Sequence, residues 1–145
     1  MRKMYETKDD LKNEEEVKKF LINKWKVNIY KLPLSYKMDF CLEKGKKIVA
    51  FAEIKNRTTP YDRYPTYILS LAKVVASRQL ANETRTQPLL IVNWTDQIRW
   101  INLKEDFNCT IGGRKDRNDW QDIEPLCEFD INKFNLINRV LNNND

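Results

Sequence analysis

Asp39–Lys55, DFCLEKGKKIVAFAEIK, decides how this chain folds. Tyr36, Met38, Phe40 and Leu42 alternate with Lys37, Asp39 and Cys41, the period-two pattern of a strand that carries Asp39. Ile48–Ala52 is wholly apolar and then gives way to Glu53-Ile54-Lys55. Between the two runs, Glu43–Lys47 (EKGKK) reads as a basic turn joining a strand pair. Residues two apart on a strand share a face, so Glu53 and Lys55 point the same way. An acid and a base that close an apolar strand are costly unless they are paired or bind something. Two carboxylates, Asp39 and Glu53, meeting at a strand pair beside a lysine suit a hard divalent cation and a phosphate.

Composition narrows the chemistry. The chain has 145 residues, enough for one domain that needs no crosslinks. It contains no histidine, which excludes Ser-His-Asp and Cys-His catalysis and histidine-based metal sites. Any hydrolytic activity must rest on carboxylates, lysine and a bound metal. The three cysteines, Cys41, Cys109 and Cys127, are widely spaced, and no CxxC occurs. This fits neither a disulfide framework nor a structural zinc site, and the apolar surroundings of Cys41 and Cys127 mark them as core residues. A net charge of +5 suits a polyanionic partner and equally serves plain solubility. The N-terminal MRKMYETKDD lacks the apolar segment of a signal peptide, and no run has membrane-spanning length. The expectation is a cytoplasmic protein with no membrane partner.

Taken in order, a first helix starts from Asp9, Asp10 or Asn13 and runs to about Trp25, with Leu11, Val17, Phe20, Leu21 and Trp25 on one face. Of Glu14, Glu15 and Glu16, the last two suit the first-turn dipole, while Glu14 falls near the centre of the apolar face. Val27–Leu34 reads as a strand ending near Pro33. The loop after Lys55 places Arg57 and Arg63 to bind phosphates and Tyr61 and Tyr64 to stack on bases; a loop packed on its own tyrosines is the plainer alternative. A second helix is expected from Pro65 to about Glu83, apolar around most of its circumference apart from a stripe of Ser70, Lys73 and Ser77. By its own chemistry Lys73 reads as a lysine that snorkels to solvent. Pro88–Trp94 reads as a central strand covered on both faces, and Gln97–Leu103 as a strand nearer the edge. Arg114, Lys115 and Arg117 lie in a glycine-led, charged loop, which either clamps nucleic acid or is simply solvated. Ile123–Ile131 suggests a further strand, Phe134–Leu141 a short helix, and Asn142–Asp145 a frayed tail.

Asp39 followed fourteen residues later by Glu53-x-Lys55 resembles the signature of the PD-(D/E)xK nuclease superfamily. The resemblance spans Glu14 to Leu103, with Met38 standing where the proline of the signature would be. It implies an α/β, restriction-endonuclease-like core in the order α-β-β-β-α-β-β, with a central mixed sheet flanked by helices. It implies one nuclease domain over 1–145, with its core at about 11–103 and residues 104–145 as a basic loop and C-terminal extension. It further implies hydrolysis of phosphodiester bonds in nucleic acid, most simply DNA. Asp39, Glu53 and the Ile54 carbonyl would then hold Mg²⁺ or Mn²⁺, Lys55 would serve the attacking water, and Glu14 would reach the same site. Arg57, Arg63, Lys73, Arg114, Lys115 and Arg117 become the nucleic-acid contacts. Two alternatives stay open: a Holliday-junction resolvase acting as a homodimer, or an inactive nucleic-acid-binding module on the same fold. A protein-interaction subunit, for which the positive charge is only solubility, is the rival from outside the fold.

Overall fold

The computed structural model describes residues 8–113 and 123–139. Its centre is an antiparallel hairpin of β2 (Phe40–Lys44) and β3 (Lys47–Asn56), with Phe40 opposite Ala52 and Leu42 opposite Ala50. The turn between them is two residues, Gly45 and Lys46, at φ +58° and +66°. Both positive values belong to the mirror-image turn that matches strand twist, which glycine adopts freely and Lys46 adopts at some strain.

β1 (Asn28–Lys31) adds to β2, and β3 pairs in parallel with β5 (Gln87–Asn93). β6 (Gln97–Asn102) and β9 (Asn135–Arg139) complete a six-stranded mixed sheet in the order β1-β2-β3-β5-β6-β9. A second sheet of three strands runs β4 (Thr66–Ser70), β8 (Ile123–Asp130) and β7 (Asn108–Gly113).

Two helices cover the main sheet. α1 (Lys8–Trp25) sets Val17 and Leu21 against Phe40, Leu42, Ala52 and Ile54 on one face. α2 (Leu71–Thr84) sets Val74 into a second cluster with Cys41, Phe51, Leu90 and Val92, joined by Tyr67, Leu69, Cys127 and Phe129 of the small sheet. β2 and β3 are therefore buried on both sides, so Phe40, Cys41 and Leu42 are all core residues despite the alternation around them. Cys41 and Cys127 are buried free thiols, which burial pushes upward in pKa, so they stay protonated and are not nucleophiles.

The expected α-β-β-β-α-β-β order is present in the main sheet and its two helices, with β4 of the second sheet inserted before α2. Asp39 sits in a bend one residue before β2 rather than on the strand, although its carbonyl still accepts from the Leu32 amide at 2.8 Å. Thr66–Ser70 is a strand, not the first turn of the second helix. Its aromatic and β-branched residues pair with β8, burying Tyr67 and Leu69, and the helix starts at Leu71. That helix is also less enclosed than its sequence suggests: Val75 is exposed, whereas Ser77, on the polar stripe, is fully buried and donates to the Val74 carbonyl at 2.8 Å. Phe134–Leu141 does not begin a helix. Asn135–Arg139 forms β9, because β6 offers an open edge whose backbone groups it satisfies. β6 is consequently an inner strand, and the edge belongs to β9. The strand at 123–131 exists, but in the second sheet. Arg114, Lys115, Arg117 and Asn142–Asp145 lie outside the described residues. Among those described, no helix is long and apolar enough to cross a membrane.

The strand at 135–139 predicts opposite costs at adjacent positions. Ile137→Ala, at a buried site, should lose about 2–5 kcal/mol in urea unfolding, while Leu136→Ala, on the exposed side, should stay within about 0.5 kcal/mol. Equal losses at the two sites would contradict the strand.

Candidate active site

Glu53 follows Ala52, the last β3 residue paired to β2, and Asp39 precedes Phe40, the partner of Ala52. The two acids thus stand just beyond the same end of the hairpin. β3 continues past that point, held on its other side by β5 with Glu53 opposite Leu90 and Lys55 opposite Val92. Leu90 and Val92 belong to the cluster under α2, so Glu53 and Lys55 face that helix.

The Glu53 carboxylate is 0% exposed, an extreme for an acid. Its Oε1 accepts from Lys73 Nζ of α2 at 2.7 Å and lies 3.9 Å from Lys55 Nζ. Lys73 Nζ also donates to the Lys37 carbonyl. Glu53 Oε2 is buried and has no hydrogen-bond partner among the described residues. Leaving such an acceptor unmade costs about 1–3 kcal/mol, more for a charged group. The lysines open onto a cleft of about 660 Å³ lined by Lys37, Glu53, Lys55, Ser70, Lys73 and Glu124 among others.

The other expected site residues are placed as follows. Asp39 is buried at the head of β2. Glu14 is also buried, on α1, with Oε2 3.7 Å from Lys31 Nζ. α1 packs on the sheet face opposite α2, so Glu14 reaches the hairpin from the other side than Lys73. Lys73 is drawn inward by Glu53 rather than left to solvent. Arg57 and Arg63 are exposed on the loop after β3; Arg57 lies 5.0 Å from the Tyr67 ring centroid and Arg63 5.9 Å from that of Tyr64.

That loop is tied down. The Arg57 amide donates to the Asn93 carbonyl at 2.9 Å, the Tyr61 amide to Asp96 Oδ1 at 2.9 Å, and the Tyr61 hydroxyl to the Ile131 carbonyl at 2.7 Å. Burial alone would raise the Asp96 carboxyl, but the Tyr61 amide, Gln97 and Arg99 outweigh it and hold the pKa below the usual value. Tyr67 is buried beside this loop with a hydroxyl that also lacks a partner among the described residues. Desolvation is the main cause that pushes its pKa up to about 12, with Arg57 opposing and Glu53 adding to the rise.

Two cleft residues were not among the expected site residues: Ser70, read only as part of the polar stripe, and Glu124. Ser70 donates to Glu124 Oε2 at 3.1 Å, and both line the cleft because β4 pairs with β8. Nothing local to Glu124 signals that it lies near Glu53, 71 positions earlier in the chain.

The sequence matches, over residues 1–137, the family described as "Phage putative PDDEXK endonuclease". The chain belongs to this PDDEXK endonuclease family. Among solved structures it is similar in fold to Hjc from Archaeoglobus fulgidus, a Holliday junction resolvase from an archaeal hyperthermophile. The TM-score is 0.52 at 13% identity, covering 82% of this chain and 84% of that one. The architecture of this PDDEXK protein is accordingly restriction-endonuclease-like. No curated protein matches it.

Two outcomes test the geometry. Lys73→Met should cost about 1.5–3 kcal/mol in denaturant unfolding, because it strips a buried carboxylate of its nearest partner. Glu53→Gln added to Lys73→Met should recover part of that loss, and a simple sum of the two single effects would refute the coupling. Asp96, with its folded pKa depressed, contributes stability above its unfolded pKa of about 3.9 that is lost as pH falls through the folded value. Asp96→Asn should therefore be less stable than the parent by about 1 kcal/mol at pH 7, a gap that narrows below about pH 4.

Proposed function

We propose that this protein is a divalent-metal-dependent nuclease that hydrolyses phosphodiester bonds of DNA in the cleft at Glu53. The single observation that carries the reading is the Glu53 carboxylate: fully buried, shared by two lysines, and with one oxygen left unpartnered among the described residues. A purely structural ion pair would satisfy both oxygens, whereas a ligand site leaves one for its ligand. Membership of an endonuclease family supports the same reading.

Among the described residues, no three of His, Cys, Asp and Glu gather into a metal cluster. Mg²⁺ does not require one, since it keeps several waters and is held by one or two carboxylates together with substrate phosphate. Asp39, Glu53 and the Ile54 carbonyl supply oxygen donors of the right hardness, so the residues present fit Mg²⁺ or Mn²⁺. Held there by Asp39, Glu53 and the Ile54 carbonyl, such an ion would supply Lewis-acid polarisation at the phosphate.

The chain's own residues do the rest. Lys55, partly exposed beside Glu53, holds the attacking water and offsets charge on the phosphate. Lys73 adds a second positive charge on the same carboxylate and faces the substrate from α2. Glu14 orients a water from the α1 side. Arg57 and Arg63 grip the backbone on either side of the scissile bond, and Arg114, Lys115 and Arg117 extend that grip. The water oxygen bonds to phosphorus, the phosphorus–oxygen bond to one sugar breaks, and the products are a phosphate monoester end and a hydroxyl end. The whole chain acts as one intracellular nuclease domain.

The test is cleavage of supercoiled plasmid, linear duplex, single strand and four-way junction with Mg²⁺, Mn²⁺ or EDTA. The junction is included because the fold resembles that of a junction resolvase; preferential cutting of it by a dimer would specify resolution. Glu53→Ala and Lys55→Ala should each lower the metal-dependent rate by about 100-fold or more while circular dichroism stays native. Cleavage that survives both substitutions, or that proceeds in EDTA, overturns the assignment. DNA binding without any cutting would make the protein an inactive module.

A further inference from the structure

Beside the Glu53 cleft lies a second pocket, of about 320 Å³, lined chiefly by Arg57, Thr59, Tyr61, Tyr64, Tyr67 and Trp94. It belongs to the loop that leaves β3 directly after Lys55, and to β4. Lys55 in the Glu53 cleft and Arg57 in this pocket are two positions apart where the chain leaves β3, about 7 Å along an extended backbone. The Glu53 carboxylate is also one of the charges that act on Tyr67, after burial and Arg57. The pocket therefore opens where the nucleotide next to a phosphate at Glu53 would lie.

Its walls are rigid. Trp94 packs edge-on against Tyr61 at 5.1 Å, Phe134 at 5.3 Å and Tyr67 at 6.0 Å between ring centroids. The loop is bonded to β5, to Asp96 and to Ile131, so the pocket exists before any ligand arrives. The volume is at the lower end of the range of about 300–1,000 Å³ for small-molecule sites, enough for one planar ring system and too small for a duplex.

The charge chooses the ligand class. Guanidinium groups already occupy two ring faces, Arg57 at 5.0 Å from Tyr67 and Arg99 at 4.0 Å from Tyr61. Positive charge in that position disfavours a cationic guest, which aromatic cages otherwise take, and favours a ring tethered to phosphates. The Tyr67 hydroxyl is buried and without a partner among the described residues, and it stays protonated to about pH 12. It is a hydrogen-bond donor waiting for an acceptor, and every nucleobase carries ring-nitrogen or carbonyl acceptors. Tyr64 stands 58% exposed at the rim, placed to stack on whatever enters.

We propose that this pocket holds one unstacked nucleobase of the strand whose phosphate is seated at Glu53 and Lys55. The proposal rests on the nuclease reading above and adds a requirement to it. The enzyme acts where a nucleotide leaves the stack cheaply, at single strands, mismatches and branch points, rather than within perfect duplex.

The experiment measures binding in EDTA, so that no cutting intervenes. A series of single-stranded 12-mers, each with one abasic site at a successive position, is titrated by fluorescence anisotropy. One position should depend on its base, with affinity falling about tenfold when that base is absent. Tyr64→Ala should weaken the intact oligonucleotide by a similar factor and abolish the position dependence, and Tyr64→Phe, which keeps the ring, should restore both. Tyr64 is exposed, so these variants keep the fold. No position dependence in the parent protein, or a dependence that persists in Tyr64→Ala, overturns the pocket. If either occurs while metal-dependent cleavage remains, the nuclease reading stands and the pocket alone is lost; if DNA is neither bound in EDTA nor cut with metal, both are lost.

Discussion

A carboxylate with no exposure to solvent sits at the point where β3 outruns its hairpin partner, and much of the molecule is arranged to make that tolerable. Burying an ionised acid costs several kcal/mol unless charge and hydrogen bonds are returned to it. Lys73 returns most of it at 2.7 Å, and Lys55 adds a weaker contact at 3.9 Å. For Lys73 to reach Glu53, α2 must turn its polar stripe toward the sheet, and it does so, with Ser77 buried on the same side. The arrangement is satisfied only in part, since Oε2 keeps no partner among the described residues. Incomplete satisfaction at a buried acid is poor structural economy and good ligand design, and the functional reading grows from it.

The scaffold around the acid explains its precision. β3 is paired on one side by β2 and on the other by β5, the only parallel contact in the main sheet among the described residues. A one-residue slip of this strand would break both ladders and carry Glu53 and Lys55 to the α1 face, away from Lys73. Glu53 and Lys55 are carried on the continuation of that strand along β5, while Arg57 to Tyr64 follow on a loop that is itself bonded at several points. The second sheet then brings Ser70 and Glu124 to one wall of the cleft and Tyr67 to the adjoining pocket. At 13% identity, the likeness to an archaeal resolvase is one of architecture, and the chemistry must be argued from this chain's own side chains.

The sequence was most legible where structure is local. The basic turn, placed by the sequence at Glu43–Lys47 and tightened in the fold to Gly45-Lys46, the apolar run of β3, the first helix with Glu14 on its inner face and the largely apolar β5 all follow from periodicity and turn chemistry within a dozen residues. The motif Asp39…Glu53-x-Lys55 was visible because a hairpin brings distant positions together by a predictable register. Its neighbourhood was not. Thr66–Ser70 resembles the start of a helix until β8 supplies its hydrogen bonds, and Asn135–Arg139 until β6 does.

What the amino-acid order alone determined, then, was the sheet core and the identity of the acid–lysine pair, because short-range patterns specify short-range pairing. What only the folded chain decided was which face Lys73 takes, that Glu124 and Ser70 share the cleft, and that Tyr67 is buried beside Arg57 with a hydroxyl unmet among the described residues. Those outcomes depend on strands that meet across about sixty residues of intervening chain, as Tyr67 and Phe129 do. Local propensity carries no record of such a partner, since the backbone bonds and apolar contacts that decide the matter exist only once both strands are in place.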